Sequence, residues 1–458
     1  MSLVLHNTLT RARAPFTPLD PAHVRIYVCG PTVYDRIHVG NARPLVVFDV
    51  LVRLLRALHP RVTYVRNITD VDDKIIERAA ATGEPIDALT ARTEAAFLAD
   101  AEALGCLAPD VQPRATEHIA QMLELIAALI ARAHAYQADG HVLFHVPSNP
   151  GYGRLSGRSR DEQVAGARVE VASYKKDPAD FVLWKPSTAD QPGWDSPYGR
   201  GRPGWHIECS AMAEHYLGLP FDIHGGSLDL VFPHHENEIA QSCCGRGVAE
   251  MARVWLHNGF VSVDGEKMAK SLGNFVTVAD ALTLAPGEAV RLMLLQTHYR
   301  APLDFKRDGL AAAKATLDRF YTTLDSLSDV AAAACPPDGL LAALCDDLNT
   351  PKALAELHGL VTAANKASDP GERARLKGAI QTSGALLGLL SQSPQRWLQG
   401  AATGENGLDA ATIDALIEER VAARRAKDFA RADAIRDQLK SDGVDLLDGP
   451  QGTTWRRL

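Results

Sequence analysis

Residues 29–41 read Cys-Gly-Pro-Thr-Val-Tyr-Asp-Arg-Ile-His-Val-Gly-Asn, and they join a short apolar run at 24–29 to a segment with apolar residues at helical spacing, 39–58. The first run predicts a strand, and the second predicts a helix. A further strand is predicted at 62–68, and another helix after the polar turn at 70–74. This order of strand, helix and strand indicates a parallel sheet of the nucleotide-binding kind.

The last four residues of this stretch, His38 to Asn41, lie at the predicted start of the helix. The N-terminus of a helix presents free backbone N–H groups, which attract phosphate. Gly40 has no side chain, so adenine can approach the backbone there. His38 can donate to a phosphate oxygen as charge develops on it. A histidine that only caps the helix is the alternative interpretation.

The composition is that of an ordinary soluble globular protein, with 46% apolar and 23% charged residues in a chain of 458. This length favours about two to four domains. The formal net charge of −8 argues against non-specific wrapping of nucleic acid but is compatible with local basic patches. The seven cysteines are an odd and sparse set, and no secretory segment precedes them, so we expect a cytoplasmic protein. No apolar run is long enough to span a membrane.

The order of patterns along the chain predicts several domains. The sheet domain covers residues 1–309, with an insertion at about 113–203 that begins with a helix at 115–138. Ala- and Leu-rich sequence with helical periodicity follows at 310–398 and predicts a helix bundle. After a linker with several glycines, residues 408–458 form a small final domain that starts with one long helix.

Far downstream of the first stretch, two lysines stand three residues apart in the loop Lys267-Met268-Ala269-Lys270-Ser271. A glycine follows this loop closely, and two cations in a mobile loop suit a clamp on a triphosphate. A solvated surface loop is the alternative, since that is where most lysines lie.

Four potential metal ligands fall between these two segments. His234 and Glu238 are four residues apart, so on a helix they share one face. Cys29 ends the first predicted strand, and Cys209 lies in the run 204–209. Two thiolates, one imidazole and one carboxylate are a plausible zinc set, although their spacing is not that of a zinc finger. Cysteines that pack as small apolar residues are the alternative.

The chain resembles a known family in both segments. His38-Val39-Gly40-Asn41 resembles the HIGH signature of class I aminoacyl-tRNA synthetases, and the loop at 267–271 resembles their KMSKS signature. With a thiophilic metal site between the two, the chain is similar to the cysteinyl-tRNA synthetases from Tyr27 to the tail Thr454-Trp455-Arg456-Arg457. The family usually has serine at the position of Ala269. Both lysines are present, so we expect activity to survive this change.

The resemblance implies the fold class, the cofactors and the partners. The fold is an α/β protein with a Rossmann-like parallel-sheet catalytic domain that carries an insertion, followed by a helix bundle and a small C-terminal anticodon-binding domain. The cofactors are one Zn²⁺ per chain and ATP with Mg²⁺. The partners are tRNA(Cys) and L-cysteine; we expect no membrane and a monomer.

The site residues implied by the family match this sequence position by position. The metal ligands are Cys29, Cys209, His234 and Glu238. Catalytic roles fall to His38, Asn41, Lys267 and Lys270, nucleotide binding to Thr32, Gly40, Asp229 and Lys270, and the cysteine pocket to Cys29, Thr69 and Trp205. His235 and Glu236 would point away from the His234/Glu238 face of a helix, so we leave them out of the metal shell, together with His206, Cys243 and Cys244.

A zinc ion would explain how such an enzyme selects its substrate. Cysteine and serine are nearly the same size, so shape alone discriminates poorly between them. Zinc binds a thiolate far better than a hydroxyl. Coordination could therefore supply the selectivity of roughly 10⁴-fold that translation demands without an editing domain, for which the insertion is also small.

The C-terminal segment carries candidates for contacts with RNA. Arg420, Arg424, Lys427 and Arg431 fall on one stripe of the predicted long helix. The tail that follows resembles the anticodon-reading tail of the family, where Trp455 could stack on a base and arginines suit phosphates or base edges. A solvated helix face is the alternative for the basic stripe.

The sequence therefore predicts an enzyme that forms cysteinyl-adenylate from L-cysteine and ATP and passes cysteine to the 3′-terminal adenosine of tRNA(Cys). One alternative is a cysteine:small-amine ligase of the mycothiol type, which lacks the anticodon-reading tail. The other is a non-catalytic zinc-containing RNA-binding paralogue, which should have lost His38 or Lys270. Both residues and the tail are present.

Overall fold

The computed structural model describes residues 2–166, 173–268, 274–400, 408–449 and 452–457 of the chain. Contacts divide the chain into two compact units. The first comprises Met1–Ala313, Pro337–Leu357 and Leu386–Leu389, and the second comprises Lys314–Pro336, His358–Ala385 and Leu390–Leu458. None of the helices in the described ranges has both the length and the apolar character needed to cross a membrane.

The strands are β1 (Val4–Asn7), β2 (Ala12–Pro15), β3 (Val24–Val28), β4 (Val62–Arg66), β5 (Ala135–Ala138), β6 (His141–Phe144), β7 (Phe181–Pro186), β8 (Gly201–Pro203), β9 (Phe221–Ser227), β10 (Ala252–Asn258), β11 (Val261–Val263), β12 (Glu266–Lys267), β13 (Leu303–Phe305), β14 (Val444–Gly449) and β15 (Gly452–Arg457).

The helices are α1 (Val39–Leu58), α2 (Asp73–Thr82), α3 (Ile86–Ala103), α4 (Ile119–Ala131), α5 (Arg160–Gly166), α6 (Trp205–Leu217), α7 (Glu236–Arg246), α8 (Val278–Leu284), α9 (Gly287–Leu295), α10 (Arg307–Ser326), α11 (Asp338–Cys345), α12 (Thr350–Ala364), α13 (Pro370–Leu387), α14 (Pro394–Gln399), α15 (Ala410–Arg425) and α16 (Phe429–Ser441). Single helical turns also cover Ala115–His118, Val146–Ser148, Leu228–Leu230 and Val231–His235.

A parallel sheet forms the core of the first unit, with strand order β10-β9-β3-β4. Its inner strand β3 is buried almost throughout, because it is paired on both sides and covered by helices. Helix α1 begins at Val39 and ends at Leu58, as its apolar spacing predicts. The predicted strand, helix and strand are therefore all present, and an N-terminal hairpin of β1 and β2 precedes them.

The carboxyl ends of β3, β4 and β9 meet at one edge of this sheet. Val28 lies beside both Arg66 and Gly225. The next residue, Cys29, donates its N–H to the carbonyl oxygen of Gly225 at 3.2 Å. Ligands of open parallel sheets bind outside this edge, so the fold brings the segments that follow these strands to the place where a site is expected.

Helix α1 also holds the turn that leads into the β11–β12 hairpin, and the downstream lysine loop follows that hairpin in the sequence. Arg43 is fully buried in α1. Its guanidinium donates to the carbonyl oxygens of Gly259 at 2.9 Å, Phe260 at 3.0 Å and His298 at 3.1 Å. These bonds tie the turn before β11 to α1, the helix that begins with His38-Val39-Gly40-Asn41 (the HVGN motif).

An antiparallel sheet of order β5-β6-β7-β8 lies between β4 and β9 in the sequence. Here the predicted helix at 115–138 is wrong at its end, because the helix stops at Ala131 and Ala135–Ala138 forms β5. Ala133 has a positive φ of 60°, which ends the helix. Asp139 and Gly140, with φ of 46° and 74°, then form a two-residue hairpin turn into β6.

The end of the second unit has two helices where one long helix is predicted. Helix α15 ends at Arg425 and α16 begins at Phe429. The break lies at Lys427, whose φ is 60°, and Asp428 caps α16 by accepting from the N–H of Arg431. Both helices pack with the β14–β15 hairpin around an apolar core of Ile413, Ile417, Ile435, Leu439, Val444 and Trp455.

An ion pair links this hairpin to α15 and makes the stability of the small core depend on pH. Arg420 donates to both oxygens of Asp448 at 2.8 Å, and these hydrogen bonds hold the pKa of the Asp448 carboxyl well below its usual value. The stabilisation is complete above the pKa of an unfolded aspartate, about 3.9. It is lost as the pH falls from there towards the folded pKa.

We therefore expect Asp448→Asn to destabilise residues 408–457 at pH 7 and to destabilise them by a smaller amount at pH 3, where part of the contribution of the ion pair is lost. Urea unfolding of the full chain, followed by circular dichroism at both pH values, measures the difference. A wild-type advantage that stays the same at pH 3 and pH 7 would contradict this expectation.

Candidate metal and nucleotide site

The four predicted metal ligands converge at the carboxyl edge of the parallel sheet. Cys29 directly follows β3, Cys209 lies in α6, His234 lies in the turn before α7, and Glu238 lies in α7. Their ligand atoms all lie within 4.8 Å of one another. The two Sγ atoms are 3.7 Å apart, and His234 Nε2 is 3.1 Å from Glu238 Oε1.

The cluster is largely buried, and its donor atoms are of the kinds that bind zinc. Cys209, His234 and Glu238 are buried, and Cys29 is half-buried. Loss of hydration raises the pKa of the Cys29 thiol and lowers the pKa of His234 to about 3, so the imidazole is neutral and suited to bind a metal. Two sulfurs, one imidazole and one carboxylate are the donor set that zinc takes in proteins.

A further histidine orients the carboxylate of this set. His224, which is fully buried in β9, places its Nε2 at 2.9 Å from Glu238 Oε2. Residues that hold a metal ligand in this way fix its geometry. No cysteine, histidine or carboxylate lies three or four residues from His224 in the sequence, so its role beside the metal ligands is not predictable from spacing.

His235 lies closer to the cluster than the sequence predicts. Its Nε2 is 3.3 Å from Cys29 Sγ, and Cys29, His224, His235 and Glu238 form a second group that meets the same distance limit. The expectation that His235 faces away assumes a regular α-helix. In fact the turn Val231–His235 is irregular, with φ −140° and ψ 131° at Phe232, and it brings both histidines to the same side.

The other residues left out of the metal shell have contacts of their own. His206 Nδ1 is 2.9 Å from His234 Nδ1. The Glu236 carboxylate accepts from the backbone N–H groups of Gly153 at 2.9 Å and Ser156 at 2.8 Å. Cys243 and Cys244 are half-buried and pack against the apolar core.

His38 caps α1, and this contact fixes which ring nitrogen carries the proton. Its Nδ1 accepts from the N–H groups of Gly40 at 3.0 Å and Asn41 at 3.3 Å, while Asn41 Oδ1 accepts from the N–H of His38 at 3.3 Å. A neutral imidazole that accepts at Nδ1 carries its hydrogen on Nε2. The capping and the phosphate-donating interpretations of His38 are therefore compatible.

One cleft contains most of the residues expected to bind nucleotide and cysteine. It is lined, among others, by Cys29, Thr32, His38, Asn41, Trp205 and Asp229. Arg36 and Lys74 also line it, and neither cation is predicted from the sequence. A Cβ atom at Gly40 would lie 2.8 Å from the His38 ring and 2.9 Å from the methyl of Met268. The absence of a side chain at Gly40 therefore makes room for these two side chains of the protein.

The two remaining residues of the expected cysteine pocket differ in exposure. Trp205 is 37% exposed, and its ring stacks on His234 at a centroid distance of 4.3 Å. Thr69 is 2% exposed, and its hydroxyl donates to Glu208 Oε2 at 2.9 Å.

The downstream lysine loop is described only in part. Lys267 ends β12, which pairs with β11. The methyl of Met268 lies near Gly40, so the loop leaves its hairpin close to the start of α1. Lys270, with Ala269 and Ser271, lies outside the described residues.

At the C-terminal end, burial revises two of the expected RNA contacts. Trp455 is 5% exposed in the apolar core, and its Nε1 donates to Asp414 at 2.8 Å, so its ring offers no open face to a base. Arg420 is also 5% exposed and is paired with Asp448. Arg424 and Lys427 are exposed, as is Arg431, which pairs with Glu419 at 2.6 Å.

An exposed aromatic side chain adjoins these cations. Phe429, the first residue of α16, is 62% exposed, and it lies two residues after Lys427 and two before Arg431 in the sequence. Phe429 is not predicted as a contact from the sequence, although an aromatic residue between Asp428 and Arg431 at a helix start is a signal for one.

Three family models match the chain. The catalytic domain of class I (C) tRNA synthetases matches residues 15–315. The DALR domain matches residues 341–391, and the cysteinyl-tRNA ligase anticodon binding domain matches residues 407–456.

Curated relatives align over the full chain. The cysteine–tRNA ligase of Rhodospirillum rubrum is 62% identical over 458 residues, which is 100% of both chains. That of Acidiphilium cryptum is 61% identical over 457 residues, again 100% of both chains. That of Xanthomonas campestris is 57% identical over 458 residues, 100% of this chain and 99% of the relative.

Solved structures of more distant proteins share the fold. Mycobacterium tuberculosis methionyl-tRNA synthetase in complex with methionyl-adenylate superposes with a TM-score of 0.58 at 16% identity, covering 80% of this chain and 89% of that one. Thermus thermophilus arginyl-tRNA synthetase has a TM-score of 0.51 at 15% identity, with coverage of 83% and 84%.

These findings confirm the predicted family, fold class and ligase activity, and they favour neither the small-amine ligase nor the non-catalytic RNA-binding paralogue. The donor cluster fits the use of zinc. The chain belongs to the cysteine–tRNA ligases, class I aminoacyl-tRNA synthetases that activate L-cysteine with ATP and join it to tRNA(Cys).

Proposed function

We propose that Cys29, Cys209, His234 and Glu238 hold one zinc ion, and that this centre selects L-cysteine by its thiol. The convergence of these donors within 4.8 Å, at the end of the cleft that contains His38, carries the proposal. When bound, zinc would keep the substrate sulfur as a thiolate and bind it far better than the hydroxyl of serine.

The first reaction joins the carboxylate of cysteine to the α-phosphorus of ATP and releases pyrophosphate. We assign to His38 the donation of its Nε2 hydrogen to a phosphate oxygen as negative charge develops. Asn41 positions this ring through the cap that it shares with His38. Thr32 and Gly40 face the nucleotide, and Asp229 accepts from a ribose hydroxyl or from the amine of cysteine.

Lys267 and Lys270 act on the triphosphate together with Mg²⁺. Negative charge moves onto the pyrophosphate as it leaves, and cations held near it lower the barrier. The guanidinium of Arg43 fixes the turn before β11, the strand on which the backbone of Lys267 pairs.

The second reaction passes cysteine from the adenylate to the 3′-terminal adenosine of the tRNA. The attacking hydroxyl, the 2′ hydroxyl by analogy with class I enzymes, replaces AMP at the carbonyl carbon. The chain forms no covalent intermediate, since positioning and electrostatic stabilisation suffice for this transfer.

Trp205 and Thr69 shape the pocket for the amino acid. The Trp205 ring stacks on His234 and presents a flat apolar wall to the cleft. Thr69 acts from behind this surface, because its buried hydroxyl is bonded to Glu208.

For tRNA binding we assign the exposed Arg424, Lys427 and Arg431 to phosphate contacts and Phe429 to stacking on a base. Arg420 and Trp455 support these residues by holding the hairpin and the core. The net charge of −8 makes such a local basic patch necessary for binding RNA.

We also propose that the domain boundaries are those of the sequence analysis: a catalytic domain at 1–309 with an insertion at about 113–203, a helix bundle at 310–398 and an anticodon-binding domain at 408–458. The enzyme works as a monomer in the cytoplasm, where its seven free cysteines remain reduced.

Replacing Cys209 by serine should remove zinc and cysteine activation together, because a serine hydroxyl stays protonated near neutral pH and is a poor zinc ligand. We expect bound zinc to fall below one per chain. Cysteine-dependent ATP–pyrophosphate exchange should fall by more than the about 10–100-fold that loss of a residue orienting a metal ligand costs. Cys243→Ser, at a half-buried cysteine outside the ligand set, is the matched control and should keep both. Full exchange by zinc-free Cys209→Ser would contradict the proposal.

Lys270→Ala should slow the formation of adenylate much more than it weakens the binding of cysteine. The loss of one donor that acts in the transition state costs about 3–4 kcal/mol, and the effect should appear in the single-turnover rate. Lys306→Ala, at an exposed lysine, serves as the control. An unchanged single-turnover rate in Lys270→Ala would remove this lysine from the mechanism.

Phe429→Ala should impair charging of tRNA and leave cysteine activation intact. Stacking of a base on an aromatic ring contributes about 1–3 kcal/mol, so KM for tRNA should rise by the corresponding factor. Exchange of pyrophosphate into ATP, measured without tRNA, reports the first reaction separately. The side chain is 62% exposed, so the fold should not change, and an unaltered KM for tRNA would exclude the contact.

A further inference from the structure

Asn67 lies next to the metal ligands but is not one of them. It directly follows β4 and is fully buried. Because β4 runs parallel to β3, with Arg66 beside Val28, Asn67 and Cys29 leave the sheet side by side.

The side chain of Asn67 touches both segments that carry a sulfur ligand. Its Oδ1 accepts from the N–H of Gly30 at 2.8 Å, directly after Cys29. The same oxygen lies 3.6 Å from Cys209 Sγ. The N–H of Gly30 can only donate, so the amide atom that faces it is the oxygen, and the orientation of the amide is settled.

The amide nitrogen completes a ring of contacts that runs from Asn67 through Thr69, Glu208 and Cys209 back to Asn67. Asn67 Nδ2 donates to Thr69 Oγ1 at 3.1 Å, and Thr69 Oγ1 donates to Glu208 Oε2 at 2.9 Å. Glu208 precedes Cys209 in α6. The ring therefore connects the end of β4 to the helix that carries one sulfur and to the turn that carries the other.

The backbone at Asn67 restricts the same turn from a second direction. A Cβ atom on Gly30 would lie 1.6 Å from the carbonyl oxygen of Asn67. No side chain fits between the two strands at this point. Both the backbone and the amide of Asn67 thus limit where Cys29 can lie relative to Cys209.

We propose that Asn67 is a positioning residue for cysteine activation, which sets the separation of Cys29 Sγ and Cys209 Sγ and so the fit of the centre to zinc and to the substrate thiolate. The inference rests on the proposed zinc centre. Residues that orient metal ligands contribute about 10–100-fold to metal affinity or activity.

The test compares two substitutions. Asn67→Leu is of similar size and loses both polar contacts, whereas Asn67→Asp keeps an oxygen for the N–H of Gly30 and loses the donor to Thr69. We expect zinc affinity, measured by competition with a chelator, to fall about 10–100-fold in Asn67→Leu and less in Asn67→Asp. KM for cysteine should rise in the same order, while KM for ATP should not change.

A second pair of variants decides the question if Asn67→Leu does not fold. Thr69→Val breaks the ring without a change of size and should also lower zinc affinity. Thr93→Val, at a threonine of equal burial whose hydroxyl bonds to the backbone of Val33 at 2.7 Å, should not. A purely structural role would lower the unfolding temperature without changing zinc affinity or KM for cysteine.

The two proposals fail in different ways. Wild-type enzyme that activates cysteine without zinc would refute the zinc centre itself. If the wild-type enzyme binds zinc, a folded Asn67→Leu with equal zinc affinity and equal KM for cysteine would refute the role of Asn67 alone. If Asn67→Leu does not fold, an unchanged zinc affinity in Thr69→Val would do the same.

Discussion

The parallel pairing of β3 with β4 and β9 is the constraint on which the rest of the molecule depends. Parallel strands need a crossover between them, and their carboxyl ends then share one edge. The first crossover supplies α1 with the HVGN motif, and the much longer second one supplies the antiparallel sheet and α6 with Cys209. The strand order therefore brings together residues that are far apart in the sequence. Cys29 and Cys209, for example, are 180 positions apart and lie in contact.

Burial of the site disfavours charged side chains, and this explains why histidines can pack against one another there. Burial lowers the pKa of His206, His234 and His257 to about 3, so these imidazoles are neutral. Neutral rings can hydrogen-bond to one another, as His235 does with His257 at 2.8 Å, where charged rings would repel. A cation among the two sulfurs and Glu238 would be the largest local charge and would favour the thiolates.

The sequence predicts the features that depend on periodicity or on a motif. The bounds of α1 follow from its apolar spacing, and the ligand set follows from the resemblance to a family. Features set by a few backbone angles were not predictable in this way: the positive φ at Ala133 and Lys427 divides predicted helices, and the irregular turn at Phe232 brings His235 inward. Spacing also cannot distinguish a buried cation or ring from an exposed one, which is why Arg420 and Trp455 were assigned to RNA.

The stacking of Trp205 on His234 gives the site an optical property. The indoles of Trp184, Trp255, Trp397 and Trp455 are buried and Trp194 is half-buried, whereas Trp205 is 37% exposed and lies against a proposed metal ligand. Because this ring lines the cleft, its contact with water depends on what fills the cleft. We therefore expect occupancy of the amino-acid pocket to change the intrinsic fluorescence of the enzyme, which would let the filling of the site be followed without a label.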